Sequence, residues 1–283
     1  MSREVVITTS EKLNFGNFRV LPEIEDMASL SKYSKENNLL EVEIEAIKKG
    51  IESLAGEPEK FRLKPKIHFD LAKNEAQVIS WPVYLATREI SSRFNPSGIS
   101  IGVVSKDSCV VGIQRSQKNN TCKGFLGTPA DYMLLPYNDF QTRDLPKEVN
   151  LEEQIQKNVI DQMSHELNLK KKEYGYYIYG LSRVDYPEKQ DEFIVLAYAN
   201  LRGEEIKQRA LKNKGTETGL AENRVILLNK DDISNLVSKD IPTATQHIVA
   251  LSLAGGLDIE PIKGLSRPNP KEAFEKDIAS MLT

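Results

Sequence analysis

Apolar residues recur at helical spacing in two stretches of the chain, and these predict its two clearest helices. Across residues 150–169 (NLEEQIQKNVIDQMSHELNL), Leu151, Ile155, Val159, Met163 and Leu167 fall four apart. That spacing puts them on one face, which should meet a core. Asn150 stands at the N-cap position, and Glu152 and Glu153 lie in the first turn, where the helix dipole favours acids. Beside the stripe runs a polar edge of Asp161, Gln162, His165 and Glu166. The second stretch covers residues 38–55. There Leu40, Ile44, Ile47, Ile51 and Leu54 alternate steps of four and three, and Gly56 provides the stop. Its stripe fits either core packing or a docking face.

Shorter patterns predict strands. Residues 5–7 form an apolar run, Phe18-Arg19-Val20-Leu21 follows a turn at Gly16, and residues 61–71 alternate polar and apolar side chains. Pro65 confines that strand to a sheet edge. A turn at Lys73-Asn74-Glu75 leads to the apolar run 77–85, the expected second strand of a hairpin, and Arg88 and Arg93 follow in an expected short helix. The turn cluster Asn95-Pro96-Ser97-Gly98 sets the expected boundary between an N-terminal α+β region, residues 1–97, and a second domain, residues 98–283. That domain opens with a hairpin, residues 99–104 and 109–115, turned at Lys106-Asp107-Ser108. After the helix come β-rich runs at 174–184 and 192–201, a charged stretch at 202–222 expected as a loop, a strand at 225–228, and helices at 231–237 and 243–254. Mixed strands with helices on the faces predict an α/β or α+β sandwich.

Composition narrows the function classes. The 283 residues are 40% hydrophobic and 28% charged, with a net charge of −3, so no overall basic field draws the chain to nucleic acid or an anionic membrane. No apolar run reaches the roughly 18 residues of a membrane span, and the first residues lack the apolar core of a signal peptide. Cys109 and Cys122 form neither a CxxC nor a disulfide framework, and three histidines are too few for a Cys/His zinc site. A reduced, cytoplasmic compartment is the expectation. His68 and His247 have no local carboxylate or cysteine partners and read as structural. GxGxxG and GxxxxGK[ST] are both absent, and SLAGG at 252–256 is no nucleophile elbow.

The second region resembles the Nudix hydrolases. VVGIQRSQK is similar to that family's hairpin strand ending in a Gln-Arg or Arg-Arg run. FLGTPADYM is similar to the loop before its signature glycine, with Asp131 at the glycine position. Residues 161–169 (DQMSHELNL) match the end of the signature helix, and YYIYGLSR, EFIVLAYANL and RVILLNKDDISNLV resemble the later strands and helix. The likeness covers about residues 98–255 and implies a Nudix-like α/β/α sandwich. The family hydrolyses a diphosphate linked to another group, using divalent ions held by helix glutamates. Carried over by position, those glutamates fall on Gln162, His165 and Glu166, the family's arginine on Asp161 and its closing glycine on Asn168.

The resemblance thus implies catalytic positions at Glu166, His165 and Gln162. It also implies a Mg²⁺ or Mn²⁺ site using Asp161, Glu166 and a loop acid, Glu217 or Glu222, with Arg115 against the diphosphate. A nucleotide-like small molecule is the implied ligand. With one of three family carboxylates kept, the site reads either as an atypical metal centre or as a retired one used for ligand sensing or protein interaction. The helix edge also fits an ordinary exposed face. A homo-oligomer or an assembly role through the 40–54 stripe stays open.

Overall fold

The computed structural model describes residues 5–24, 26–54, 65–87, 90–114, 126–135, 144–184, 190–212, 224–238 and 245–257. Twelve strands are numbered in chain order. They are β1 (Val5–Thr9), β2 (Asn17–Leu21), β3 (Lys66–Asp70), β4 (Glu75–Ile79), β5 (Gly98–Val104), β6 (Val110–Gln114), β7 (Leu126–Gly127), β8 (Ala130–Tyr132), β9 (Glu148–Asn150), β10 (Tyr174–Val184), β11 (Gln190–Ala199) and β12 (Arg224–Leu228). The helices are α1 (Met27–Asn37), α2 (Glu41–Leu54), α3 (Trp81–Thr87), α4 (Leu151–Leu167), α5 (Gly203–Lys212), α6 (Lys230–Ser238) and α7 (Thr245–Ala254).

Two sheets result. The larger has the order β1-β10-β11-β5-β6-β12, with β7 on β6 and β8 on β5. It is mixed, since β11 and β5 run parallel while β10 pairs antiparallel with both β1 and β11. The smaller sheet has the order β3-β4-β2-β9. Both halves of the chain build both sheets, because β1 extends the large sheet and β9 extends the small one. One core lies between them, uniting Phe18, Ile67, Phe69 and Val78 with Ile99, Ile101, Phe193 and Val195. Phe69 meets Phe18 and Phe193 edge-on, at centroid distances of 5.2 and 6.4 Å. The architecture is α/β, with α4 on the core face of the large sheet and α7 on the opposite face.

Several local expectations change. The run 77–85 is not one strand. β4 ends at Ile79 and α3 begins at Trp81, with the Ser80 carbonyl accepting the Tyr84 N–H at 3.0 Å. Pro82 is tolerated because first-turn N–H groups have no helical acceptor. The charged stretch 202–222 contains α5, with Glu204 and Glu205 in its first turn and Arg209 and Lys212 in its last. Its buried Ile206 anchors it to the core. α1 was not legible as a helix: Leu30 is its one buried side chain. A reciprocal cap between Asp26 and Ser29 starts it instead.

The 40–54 stripe mostly turns inward. Ile47 is fully buried, and Ile44 and Ile51 pack with it against Ile79, Val83, Tyr84 and Phe94. Leu40 alone of these four stays exposed, and the Leu54 side chain lies outside the described residues. The docking-face reading therefore loses its basis. Arg88 also lies outside the described residues, and Arg93 sits in a single 3₁₀ turn, Ser92–Phe94. Among the described residues, no helix is long and apolar enough to cross a membrane.

Close approach of α7 to the large sheet needs a glycine at position 102. A Cβ there would lie 2.5 Å from the Ala250 carbonyl oxygen and 2.9 Å from Leu196 Cδ2. Gly102→Ala should therefore cost about 1–3 kcal/mol, as overpacking does. Urea unfolding checks this, and an unchanged midpoint would contradict the packing.

Candidate functional site

Helix α4 forms where the sequence places it. The Asn150 side-chain oxygen accepts the Glu153 N–H at 3.1 Å, completing the N-cap. Leu151, Ile155, Val159, Met163 and Leu167 are each fully buried in the shared core. The helix ends at Asn168 in the left-handed conformation, φ 55° and ψ 41°, with its N–H directed to the Met163 and Ser164 carbonyls. An amide side chain tolerates this backbone where glycine would otherwise be favoured.

The polar edge divides in two. Gln162 turns inward and is buried, the last of a row at i, i+4 and i+8 with Gln154 and Asn158. Gln154 donates its amide to the Leu134 carbonyl, and Asn158 donates to the Gln154 carbonyl at 2.8 Å. This row ties the chain after β8 to the helix. Asp161 and His165 face outward, and Glu166 is half-buried. Asp161 lies near Tyr174 at the start of β10. The Tyr174 phenol is pushed up to about 12, chiefly by burial, with further contributions from Tyr176 and Asp161.

The structure thus brings Asp161, His165 and Glu166 to one end of α4 and sets Gln162 apart from them. Arg115, Glu217 and Glu222 lie outside the described residues. Among the described residues, no group of three or more His, Cys, Asp or Glu side chains is placed to hold a metal ion. Two carboxylates on one helix edge do not by themselves make the oxygen cage that magnesium requires.

Below that edge, Glu173 makes two links. It accepts the Lys170 N–H at 2.8 Å and the Arg209 guanidinium at 2.7 Å, joining the helix exit to α5. These two bonds hold its carboxyl below the usual range.

Two further polar clusters escaped the sequence reading. At the first, the Lys66 ammonium stands 4.4 Å from the centre of the Tyr132 ring, whose hydroxyl is 2.7 Å from that of Tyr84. Burial lowers the Lys66 pKa, and the nearby Asp131 opposes the shift. The second lies under α7, where buried Glu192 and Ser100 meet His247 and Thr128. Glu192 could have been flagged as a carboxylate inside an otherwise apolar strand, on the face that α7 covers.

No family model and no curated protein matches the chain. Among solved structures, it is similar to the Nudix domain of Shewanella oneidensis NrtR complexed with ADP ribose. The identity is 15%, over 62% of this chain and 96% of that one, with a TM-score of 0.32. It is also similar to RenU, a Nudix hydrolase from M. Smegmatis, at 11% identity over 56% and 81%, with a TM-score of 0.30. The Shewanella oneidensis NrtR structure matches at 13% identity over 66% and 84%, with a TM-score of 0.30.

The left-handed end of α4 makes a direct test. Asn168→Gly should change stability by less than about 1 kcal/mol, whereas Asn168→Val should cost roughly 1–3 kcal/mol through strain at positive φ. Chemical denaturation of both variants measures the difference, and equal midpoints would refute the assigned role of Asn168.

Proposed function

We propose that the chain is a Nudix-like protein that binds a nucleoside-diphosphate-linked compound at the Asp161–His165–Glu166 end of α4. The observation that supports this is the placement of that edge. It lies at the C-terminal end of a core-buried helix, between a hairpin with its loop and a strand pair, and it closes on a left-handed residue where the family has glycine. That arrangement fixes the end of α4 rigidly while leaving Asp161 and His165 exposed.

An acidic edge repels a diphosphate unless a cation lies between them. A divalent ion, Mg²⁺ or Mn²⁺, is therefore part of the proposal, with Asp161 and Glu166 joined by Glu222 as its ligands and Arg115 on the diphosphate. Such an ion supplies charge neutralisation and an activated water when bound. The described residues contribute only two of those carboxylates, so the reading puts binding first and hydrolysis second. Gln162 takes a positioning role here, since it is buried beside Asn158 and Gln154 on the inner side of the helix.

The test is thermal unfolding with ADP-ribose, with and without Mn²⁺, followed by assay for released monophosphate. Ligand at 100 times its dissociation constant stabilises by about 2.7 kcal/mol, a rise of several degrees for a chain of this size. Glu166→Gln should remove the Mn²⁺-dependent part of that rise. If no nucleoside diphosphate derivative shifts the wild-type transition, with or without metal, the binding reading fails. A shift without turnover would remove hydrolysis alone.

A further inference from the structure

A hydrogen-bond chain crosses the sheet face that α7 covers. Ser100 on β5 donates its hydroxyl to Glu192 on β11, and both side chains are buried. The ring of His247, in the first turn of α7, completes the chain. Its Nδ1 lies 3.4 Å from Ser100 Oγ, 3.0 Å from Thr128 Oγ1 and 3.3 Å from the Thr128 amide nitrogen. The ring lies against Gly127, where a Cβ would stand 3.4 Å from three ring atoms, close to ordinary contact. Ser182 on β10 is directly opposite Glu192 in register. It is fully buried, and its hydroxyl makes no hydrogen bond.

The groups around Nδ1 make opposite demands. The Thr128 N–H can only donate, so it needs a lone pair on Nδ1 and a neutral ring protonated at Nε2. Ser100 has committed its proton to Glu192, so toward Nδ1 it offers only a lone pair and needs Nδ1–H. In that second arrangement an imidazolium faces a carboxylate through one hydroxyl. The Thr128 hydroxyl serves either state. The two arrangements lie within about 0.1 Å of equal reach, 3.3 against 3.4 Å.

We propose that His247 is a proton-operated latch. Neutral, it holds the turn at residues 127–129 through the Thr128 N–H. Protonated, it turns its N–H to Ser100 and Glu192 and releases that turn. The stabilising Thr128 link is present above the imidazole pKa and lost as pH falls through it, while the Ser100 link is gained. Pro129 in the released turn accepts the Ile101 N–H at 2.9 Å and leads directly into β8, so the edge of the large sheet loosens with it.

Glu192 is the charged group that faces the ring among the described residues. β5 contributes Ser100, β10 contributes Ser182 and the phenol of Tyr179, and β6 and β7 contribute no ionisable side chain. α7 itself carries no Asp, Glu, Lys or Arg. α6 meets α7 through Ile233 and Leu236, with Lys230 and Asp231 exposed and Asp232 engaged in a cap with Asn229.

Nuclear magnetic resonance on the full chain between pH 8 and 5 tests the latch, because only three imidazoles must be resolved. His247 should titrate between these limits. Exchange of the Thr128 amide should accelerate roughly tenfold or more along the same curve, as an opened hydrogen bond does. Glu192→Gln removes the carboxylate that favours the imidazolium and should lower the His247 midpoint. His247→Gln keeps an acceptor but no titrating group, so Thr128 protection should become independent of pH. Equal Thr128 protection at pH 8 and pH 5 in the wild type overturns the proposal without any variant. So does a His247 midpoint unchanged in Glu192→Gln, or a His247 that does not titrate across this range.

Discussion

The fold depends on burial of the apolar stripe of α4 between two sheets. Leu151, Ile155, Val159, Met163 and Leu167 are all fully buried, and each such side chain contributes roughly 1.5–3 kcal/mol when removed from water. The same core takes Phe18, Phe69 and Val78 from the small sheet and Ile101, Phe193 and Val195 from the large one. The helix is thus the element against which both sheets form. Strand β9 runs straight into it, so the small sheet and the helix are fixed in one continuous stretch of chain.

That constraint was legible in the sequence because it is periodic and local. Five residues at i+4, an Asn before the first turn and an Asn after the last give start, face and end without tertiary information. The misreadings arise where local pattern and tertiary packing part. α1 buries only Leu30 and is started by a cap, so its sequence carries little periodic signal. The run 77–85 is largely apolar because Val78, Ile79, Val83 and Tyr84 are buried on both elements, and periodicity cannot divide such a run. β9 is three residues long and has sheet partners 129 to 133 positions away in sequence, visible only once β2 is in place.

The polar clusters were illegible for the same reason. Ser100 and Glu192 are 92 residues apart, Thr128 and His247 are 119, and Ser100 and His247 are 147. No motif spacing exists for groups assembled by a parallel strand pair and a helix that begins more than 50 residues after Glu192. The edge of α4, by contrast, lies within six residues, and its membership was readable. Its division into outward Asp161 and His165 and inward Gln162 came only from the packing.

The N-terminal part of the helix is tied to β9 and the chain after β8, and the proposed site, Asp161, His165 and Glu166, lies at the other end. An α-helix of 17 residues spans roughly 25 Å, enough for a paramagnetic ion to distinguish its ends. The most direct measurement is therefore Mn²⁺ broadening of backbone amide signals in the presence of ADP-ribose. The account predicts that the amides of Asp161, His165, Glu166 and Asn168 broaden first while those of Leu151 to Gln154 stay sharp. Broadening centred elsewhere on the chain, or none at all at saturating ligand, would contradict it.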